Sequence, residues 1–276
     1  MYKLQRYFTI AIIIFSLIIT LFPIYWMFSL SIREQSEFLG IIEFIPKTFT
    51  FSNFNLLFSE NEFLQNILNS LFITIIAIFI SLLVGVPAAY ILSSRDFGVK
   101  FITFSLVFVL VIRIIPPITL ALPLFTFMNE LGLTSTRLPI ILAHTLVCLP
   151  FLIWYMCIAF KKLPTEVTQS AKIDGASNWQ IFTKINLALV RTNIIAVAIF
   201  SFVSSWNEYL FSMIFIQDPD KFTVPITLAT FNSEDELTQW GMIAGGGIVS
   251  TIPVALFMVI LQKSMIRDAN SGAVKG

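Results

Sequence analysis

The chain has 276 residues, 57% of them hydrophobic and 12% charged, with a formal net charge of +1 and a mean hydropathy of +0.88. A soluble domain of this size carries about twice that charge, so the composition excludes an ordinary water-soluble protein and indicates an integral membrane protein. The apolar residues form continuous runs rather than short alternating stretches, which excludes an outer-membrane barrel.

A membrane-spanning helix needs roughly 20 apolar residues. Six segments meet that length, at about 8–30, 71–92, 101–125, 139–160, 193–216 and 241–262. The expected fold is therefore all-α: a polytopic membrane protein of six transmembrane helices, forming one domain over residues 1–276. The first run follows Lys3 and Arg6, as a signal peptide would. It is too long for a signal core and lacks a small-x-small cleavage site, so it reads as an uncleaved span.

The third run contains Arg113 followed by Pro116, Pro117 and Pro123, and the sixth contains Gly245-Gly246-Gly247 and Pro253. The prolines are expected to break both spans, and the glycines to give the sixth a thin face. Such helices suit either a pathway that opens and closes or plain close packing. In the fourth run, His144 and Cys148 share a helix face, and packing explains them better than a metal site. Cys148 and Cys157 are nine positions apart on one helix and cannot pair.

Residues 161–192 form a polar, basic segment between the fourth and fifth runs. Pro164 opens a short helix, Thr165 to Ile173 carries no breaker, and Gly175 stops it. Ser177-Asn178-Trp179-Gln180 fits the S-x-x-Q capping box of a second helix. That helix is expected to present Trp179, Phe182, Ile185 and Leu189 at three- and four-residue spacing. By these residues alone the segment fits equally a docking knob for a soluble partner and an amphipathic hairpin lying on lipid headgroups.

The fifth run contains Ser205-Trp206-Asn207-Glu208-Tyr209. Arg113 and Glu208 are the two ionised groups placed well inside apolar runs. They lie roughly 18 Å and 22 Å into their spans at about 1.5 Å per residue, close enough in depth to pair. Such a pair serves either as a gate or as an interhelical clamp, the clamp being favoured. Trp206 and Asn207 suit a sugar by stacking and hydrogen bonding, and suit helix packing equally.

Twelve Lys and Arg residues fall on the side shared by the termini, the 93–100 turn (with Arg95) and the 161–192 loop. Only Arg33, Lys47, Arg137 and Lys221 fall on the other. Positive charge collects on the cytoplasmic side, so both termini and the loop are expected there. The opposite loops are acidic, with Glu37, Glu43, Glu60, Glu234, Asp235 and Glu236 among their residues. They form either a solvated surface or a seat for a soluble partner outside.

The 161–192 segment resembles the EAA loop of permease subunits of ATP-binding-cassette importers. The family pattern is E-A-A, three residues, G, nine residues, then I-x-L-P. Here it reads Gln169-Ser170-Ala171, Gly175, Ile185 and Leu187-Ala188. Ile173-Asp174-Gly175-Ala176-Ser177 matches the usual wording around the glycine. Gln169 replaces the Glu, and Glu166, one turn earlier, can supply the charge. Ala188 replaces the Pro, so the loop is expected to run more smoothly into the fifth span. Further resemblances follow in order. Arg113-Ile114-Ile115-Pro116-Pro117 is similar to the R-M-x-P-P stretch of sugar-importer permeases, and Ser205 to Phe211 to their S-W-N-E-F-L-F segment. Gly272 to Gly276 is similar to the terminal signature of the second permease of maltose-type carbohydrate importers.

The resemblance implies a multi-pass permease subunit in a bacterial cytoplasmic (inner) membrane, with a cytoplasmic helical coupling loop. Its coupling residues would be Glu166, Gln169, Ala171, Asp174, Gly175, Ala176 and Trp179. Its pathway or interhelical residues would be Arg113, Pro116, Pro117, Trp206, Asn207 and Glu208. It implies a second homologous permease, two cytoplasmic ATP-binding subunits and an extracytoplasmic solute-binding protein as partners within the lipid bilayer, and no nucleic acid. The chain lacks a G-x-x-x-x-G-K-[ST] loop, so ATP and Mg would sit on the partners. No cofactor, metal site or catalytic residue is expected here. The cargo would be a sugar, polyol or glycerol phosphate, moved inward. A permease for a non-sugar solute is the alternative. A secondary transporter fits less well, because the halves show no convincing repeat.

Overall fold

The computed structural model describes residues 2–59, 62–94, 98–134, 136–232 and 239–273. Arg95, Glu60, Glu234, Asp235, Glu236 and the last three residues, named above for charge or motif, lie outside that range. Among the described residues every regular element is a helix and there are no strands. Four helices are long and apolar enough to cross a membrane. They lie in α1 (Tyr2–Ser31), α3 (Phe63–Ser93), α6 (Leu138–Lys161) and α12 (Trp240–Ala273). The count reaches six when each of two bent pairs is one span. Shorter helices outside these pairs include α2 (Ser52–Ser59) and α11 (Val224–Thr230).

The first bent pair is α4 (Val99–Ile114) and α5 (Pro117–Glu130), which meet at 93°. The cause is local. A residue before proline is pushed out of the helical region, and both Ile115 and Pro116 precede one. Their ψ angles are 126° and 129°. Pro117 then opens α5, where its missing N–H costs nothing. Pro123 and Pro253 behave differently from the expectation: α5 and α12 run through them unbroken. A single proline removes one hydrogen bond, which a long helix in a membrane tolerates.

The second bent pair comprises α8 (Asn178–Leu189) and α9 (Arg191–Trp206), which meet at 72°. The expected continuous fifth span over 193–216 is also interrupted at Asn207–Tyr209, beyond which α10 (Leu210–Phe215) begins.

The chain forms two compact units, residues 1–67 with 224–252, and residues 68–223 with 253–276. In the first, Gly246 permits close approach, because a Cβ there would collide with the Leu228 side chain. The expected thin face of the sixth span is thus packed. The same unit holds a buried cation. Arg33 has no exposed surface and donates to the Ser29 carbonyl at 3.2 Å, to Ser29 Oγ at 3.0 Å and to Glu37 Oε2 at 3.0 Å. In the second unit one core joins Val86, Leu152, Met156, Phe182 and Val197. Another joins Ile73, Ala121, Ile140, Phe211 and Phe215. Cys148 and Cys157 are free and buried.

Candidate coupling loop and polar cluster

The loop after α6 folds as helix, turn, helix. The first helix, α7 (Thr165–Ile173), buries none of its residues. Asp174 caps it, and Gly175 follows at φ +82°. The Gly175 N–H bonds the Lys172 carbonyl at 3.1 Å and the Ala176 N–H bonds that of Ala171 at 2.9 Å. This is a Schellman closure, which requires a left-handed residue at the position of Gly175. The expected capping box opens α8: Gln180 N–H donates to Ser177 Oγ at 3.3 Å, and Ser177 N–H to Gln180 Oε1 at 2.9 Å. Glu166, Gln169, Asp174, Gly175 and Trp179 are exposed, while Ala171 and Ala176 are half-buried. Glu166 and Gln169 lie three positions apart and share a helix face. The exposed surface thus offers a carboxylate, an amide and the apolar Ile173 and Trp179 to a partner.

Two expectations for α8 are corrected. Of the four residues expected at three- and four-residue spacing, Phe182 is buried and Ile185 half-buried, while Trp179 and Leu189 are exposed; the helix instead buries Ile181, Phe182 and Asn186. Residues Ile181–Asn186 are a π-helix, whose wider turn moves the inward face off the three- and four-residue spacing. Phe182 seats the loop against Tyr90, with ring centroids 4.8 Å apart. Ala188 does not smooth the passage into the next helix. The chain bends at Val190, which is buried at φ −94° and ψ 11°, so a core contact turns the chain without a proline.

The expected Arg113–Glu208 pair is not formed. The Arg113 guanidinium lies over the rings of Phe151 and Phe200 at 5.5 and 5.7 Å, on an exposed position. The Glu208 carboxylate lies 3.2 Å from His144 Nε2. It also accepts from the N–H groups of Phe211 at 2.8 Å and Ser212 at 3.0 Å. Matched depth says nothing about direction around a helix, and the break at 207–209 turns Glu208 toward α6. His144 was missed as its partner. The available signal was that the chain's single histidine and a glutamate both sit in apolar runs, where each needs a partner. Trp206 is buried and stacks on Phe202, with centroids 5.7 Å apart. Asn207 is exposed, and its Nδ2 donates to the Val203 carbonyl at 2.9 Å. Pro116 and Pro117 are exposed at the α4–α5 bend.

This arrangement predicts that Arg113→Leu and Glu208→Leu have additive effects on the thermal stability of the purified complex. Glu208→Leu is expected to cost about 3–5 kcal/mol, because it leaves His144 without its carboxylate. Arg113→Leu is expected to cost about 0.5–2 kcal/mol, the range of a cation–π contact. A coupling above about 1 kcal/mol in the double-mutant cycle would contradict the separation.

The sequence profile of a family described as binding-protein-dependent transport system inner membrane component matches residues 81–269. The chain is 32% identical over 257 residues to the trehalose transport system permease protein SugB of Mycobacterium tuberculosis, covering 93% of each chain. It is 29% identical over 277 residues to the trehalose/maltose transport system permease protein MalG of Thermococcus litoralis, covering 99% of this chain and 98% of that one. Its fold matches a chain in the crystal structure of a bacterial ABC transporter involved in the import of the acidic polysaccharide alginate. That match has a TM-score of 0.72 at 20% identity, over 95% of this chain and 96% of that one. A chain of the inward-facing MetNI methionine ABC transporter matches with a TM-score of 0.63 at 16% identity, over 74% and 94%.

Proposed function

The chain belongs to the family of binding-protein-dependent transport system inner membrane components, and we propose from that premise that it carries a sugar or related polyol or glycerol phosphate inward. It acts as one of two homologous permeases, driven by two cytoplasmic ATP-binding subunits and supplied by an extracytoplasmic solute-binding protein. The observation that carries the coupling is the exposed helix–turn–helix of residues 165–189, bent at Gly175 and seated by Phe182. A membrane helix bundle that presents such a knob offers a lever to a soluble motor. Glu166, Gln169, Asp174 and Trp179 supply the contact surface, and Ala171 and Ala176 allow the turn to pack. A carbohydrate cargo is favoured by the relatives, whose names include trehalose, maltose and arabinooligosaccharides.

The experiment that tests this reading is binding-protein-dependent uptake in vesicles carrying the full transporter, challenged with labelled trehalose, maltose, longer oligosaccharides, glycerol phosphate and methionine. Uptake of a carbohydrate that stops when this chain is deleted supports the proposal. Uptake of methionine alone overturns the cargo assignment. The asymmetry of positive charge supports a cytoplasmic position for both termini and the coupling loop. A cysteine introduced by Asn178→Cys is therefore expected to react with an impermeant thiol reagent only in inside-out vesicles. Reaction from the outside of intact cells would reverse the topology.

A further inference from the structure

We propose that His144 is a positioning residue for translocation: with Glu208 it locks the break in the fifth span so that Asn207 and Tyr209 face the solute path. The proposal rests on the importer reading above.

The break is costly in a membrane and needs a reason. Helix α9 ends at Trp206 and α10 begins at Leu210. Non-helical backbone at membrane depth is tolerated only where protein buries it or where it lines a water-filled cavity. Asn207 and Tyr209 are both exposed at this break; the Asn207 Nδ2 is taken up by the Val203 carbonyl, but its amide oxygen needs a donor that hydrocarbon does not offer. Their surroundings are therefore polar in the assembled transporter. An amide and a phenol two residues apart suit a polyhydroxyl solute.

Glu208 points the opposite way. Its two carboxylate oxygens accept the Phe211 and Ser212 N–H groups, which closes the first turn of α10. Ser212 Oγ lies 3.1 Å from Oε2 of the same carboxylate. His144 then ties that turn to what precedes the break. Its Nε2 lies 3.2 Å from Glu208 Oε2, and its Nδ1 lies 2.7 Å from Ser205 Oγ on α9. Ser205 Oγ in turn donates to Thr74 Oγ1 on α3 at 3.1 Å. One imidazole on α6 thus holds both sides of the break through two nitrogens fixed on a rigid ring. His144 is 1% exposed, so the ring has no room to swing aside. Residues 207 and 209 flank 208, so fixing Glu208 inward fixes their outward direction.

The test uses the full transporter in proteoliposomes, with Cys148→Ala and Cys157→Ala as background. Tyr209→Cys is expected to react with a small water-soluble methanethiosulfonate, and an excess of transported solute is expected to slow the reaction. Adding His144→Leu is expected to slow labelling about tenfold, equivalent to about 1.4 kcal/mol, while the ATP-binding subunits still co-purify. His144→Gln, whose amide still reaches Glu208, is expected to restore most of the rate. If His144→Leu fails to assemble, Ser205→Ala removes one arm of the lock without stranding a charge, and the same slowing is expected. An unchanged labelling rate in whichever variant assembles overturns the proposal. So does a Tyr209→Cys that never reacts. If uptake is intact and Asn178→Cys still labels from inside in that case, the importer reading survives and only the lock fails.

Discussion

Gly175→Val is expected to abolish most solute uptake while leaving ATP hydrolysis by the assembled complex in place. Gly175 sits at φ +82°, and no atom lies within 4 Å of where a Cβ would be. The substitution therefore acts through the backbone and not through a clash. An L residue in the left-handed region pays about 1–2 kcal/mol, and a β-branched one is a genuine outlier there. An energy of that size reduces the correctly bent population by a factor of about 5–30. The Schellman bonds from Gly175 to Lys172 and from Ala176 to Ala171 would open, and α7 would lose its set angle against α8. Asparagine tolerates this region, so Gly175→Asn should retain much of the uptake. The check is uptake by vesicles beside the ATPase rate of the same preparation. Wild-type uptake by a well-expressed Gly175→Val complex would remove Gly175 from the coupling element.

Arg33→Leu should be the most destabilising single change outside the transmembrane cluster, at about 3–5 kcal/mol. Arg33 is fully buried and stacks its guanidinium 5.8 Å from the Trp26 ring. Its bonds to Ser29, to Glu37 and to the Glu43 carbonyl hold the segment after α1 in place. Arg33→Lys should recover only part of the loss, because an ammonium cannot reproduce the planar fork. Proteolysis within residues 34–50 and thermal unfolding of the complex would measure both. The same knot carries a pH dependence. The Thr48 hydroxyl holds the Glu37 carboxyl below the usual carboxylate range. The N–H groups of Thr48 and Lys47 and the charge of Arg33 assist it, against an opposing effect of burial. A depressed folded value means that this stabilisation is complete above the unfolded pKa of about 4.3. It is lost as pH falls through the folded value. Glu37→Gln should flatten that acid loosening, and protection that stays equally pH-dependent in Glu37→Gln would assign it to another group.

Several features of this chain follow from the sequence by itself because their causes are local. Continuous apolar runs locate the long helices, since bilayer thickness sets their length. Gly175 and the Ser177–Gln180 box fix the bend of the loop through bonds spanning at most five residues. Consecutive prolines at 116 and 117 dictate the break in the third run, because each constrains the residue before it.

What only the tertiary structure decided depends on direction around a helix and on partners far along the chain. Arg33, which the sequence shows only as one of four basic residues on the outer side, is fully buried, because carbonyls and carboxylates up to ten residues away fold over it. The π-helix at Ile181–Asn186 shifts the buried face of the loop to suit Tyr90 and Phe160, which come from other helices. Glu208 matches Arg113 in estimated depth, yet it pairs with His144 from 64 positions earlier, as the numbering shows. Depth along a helix is a one-dimensional property that the sequence supplies. Which way a side chain points is set by packing of several helices at once, and by the break at Asn207–Tyr209 that this packing stabilises.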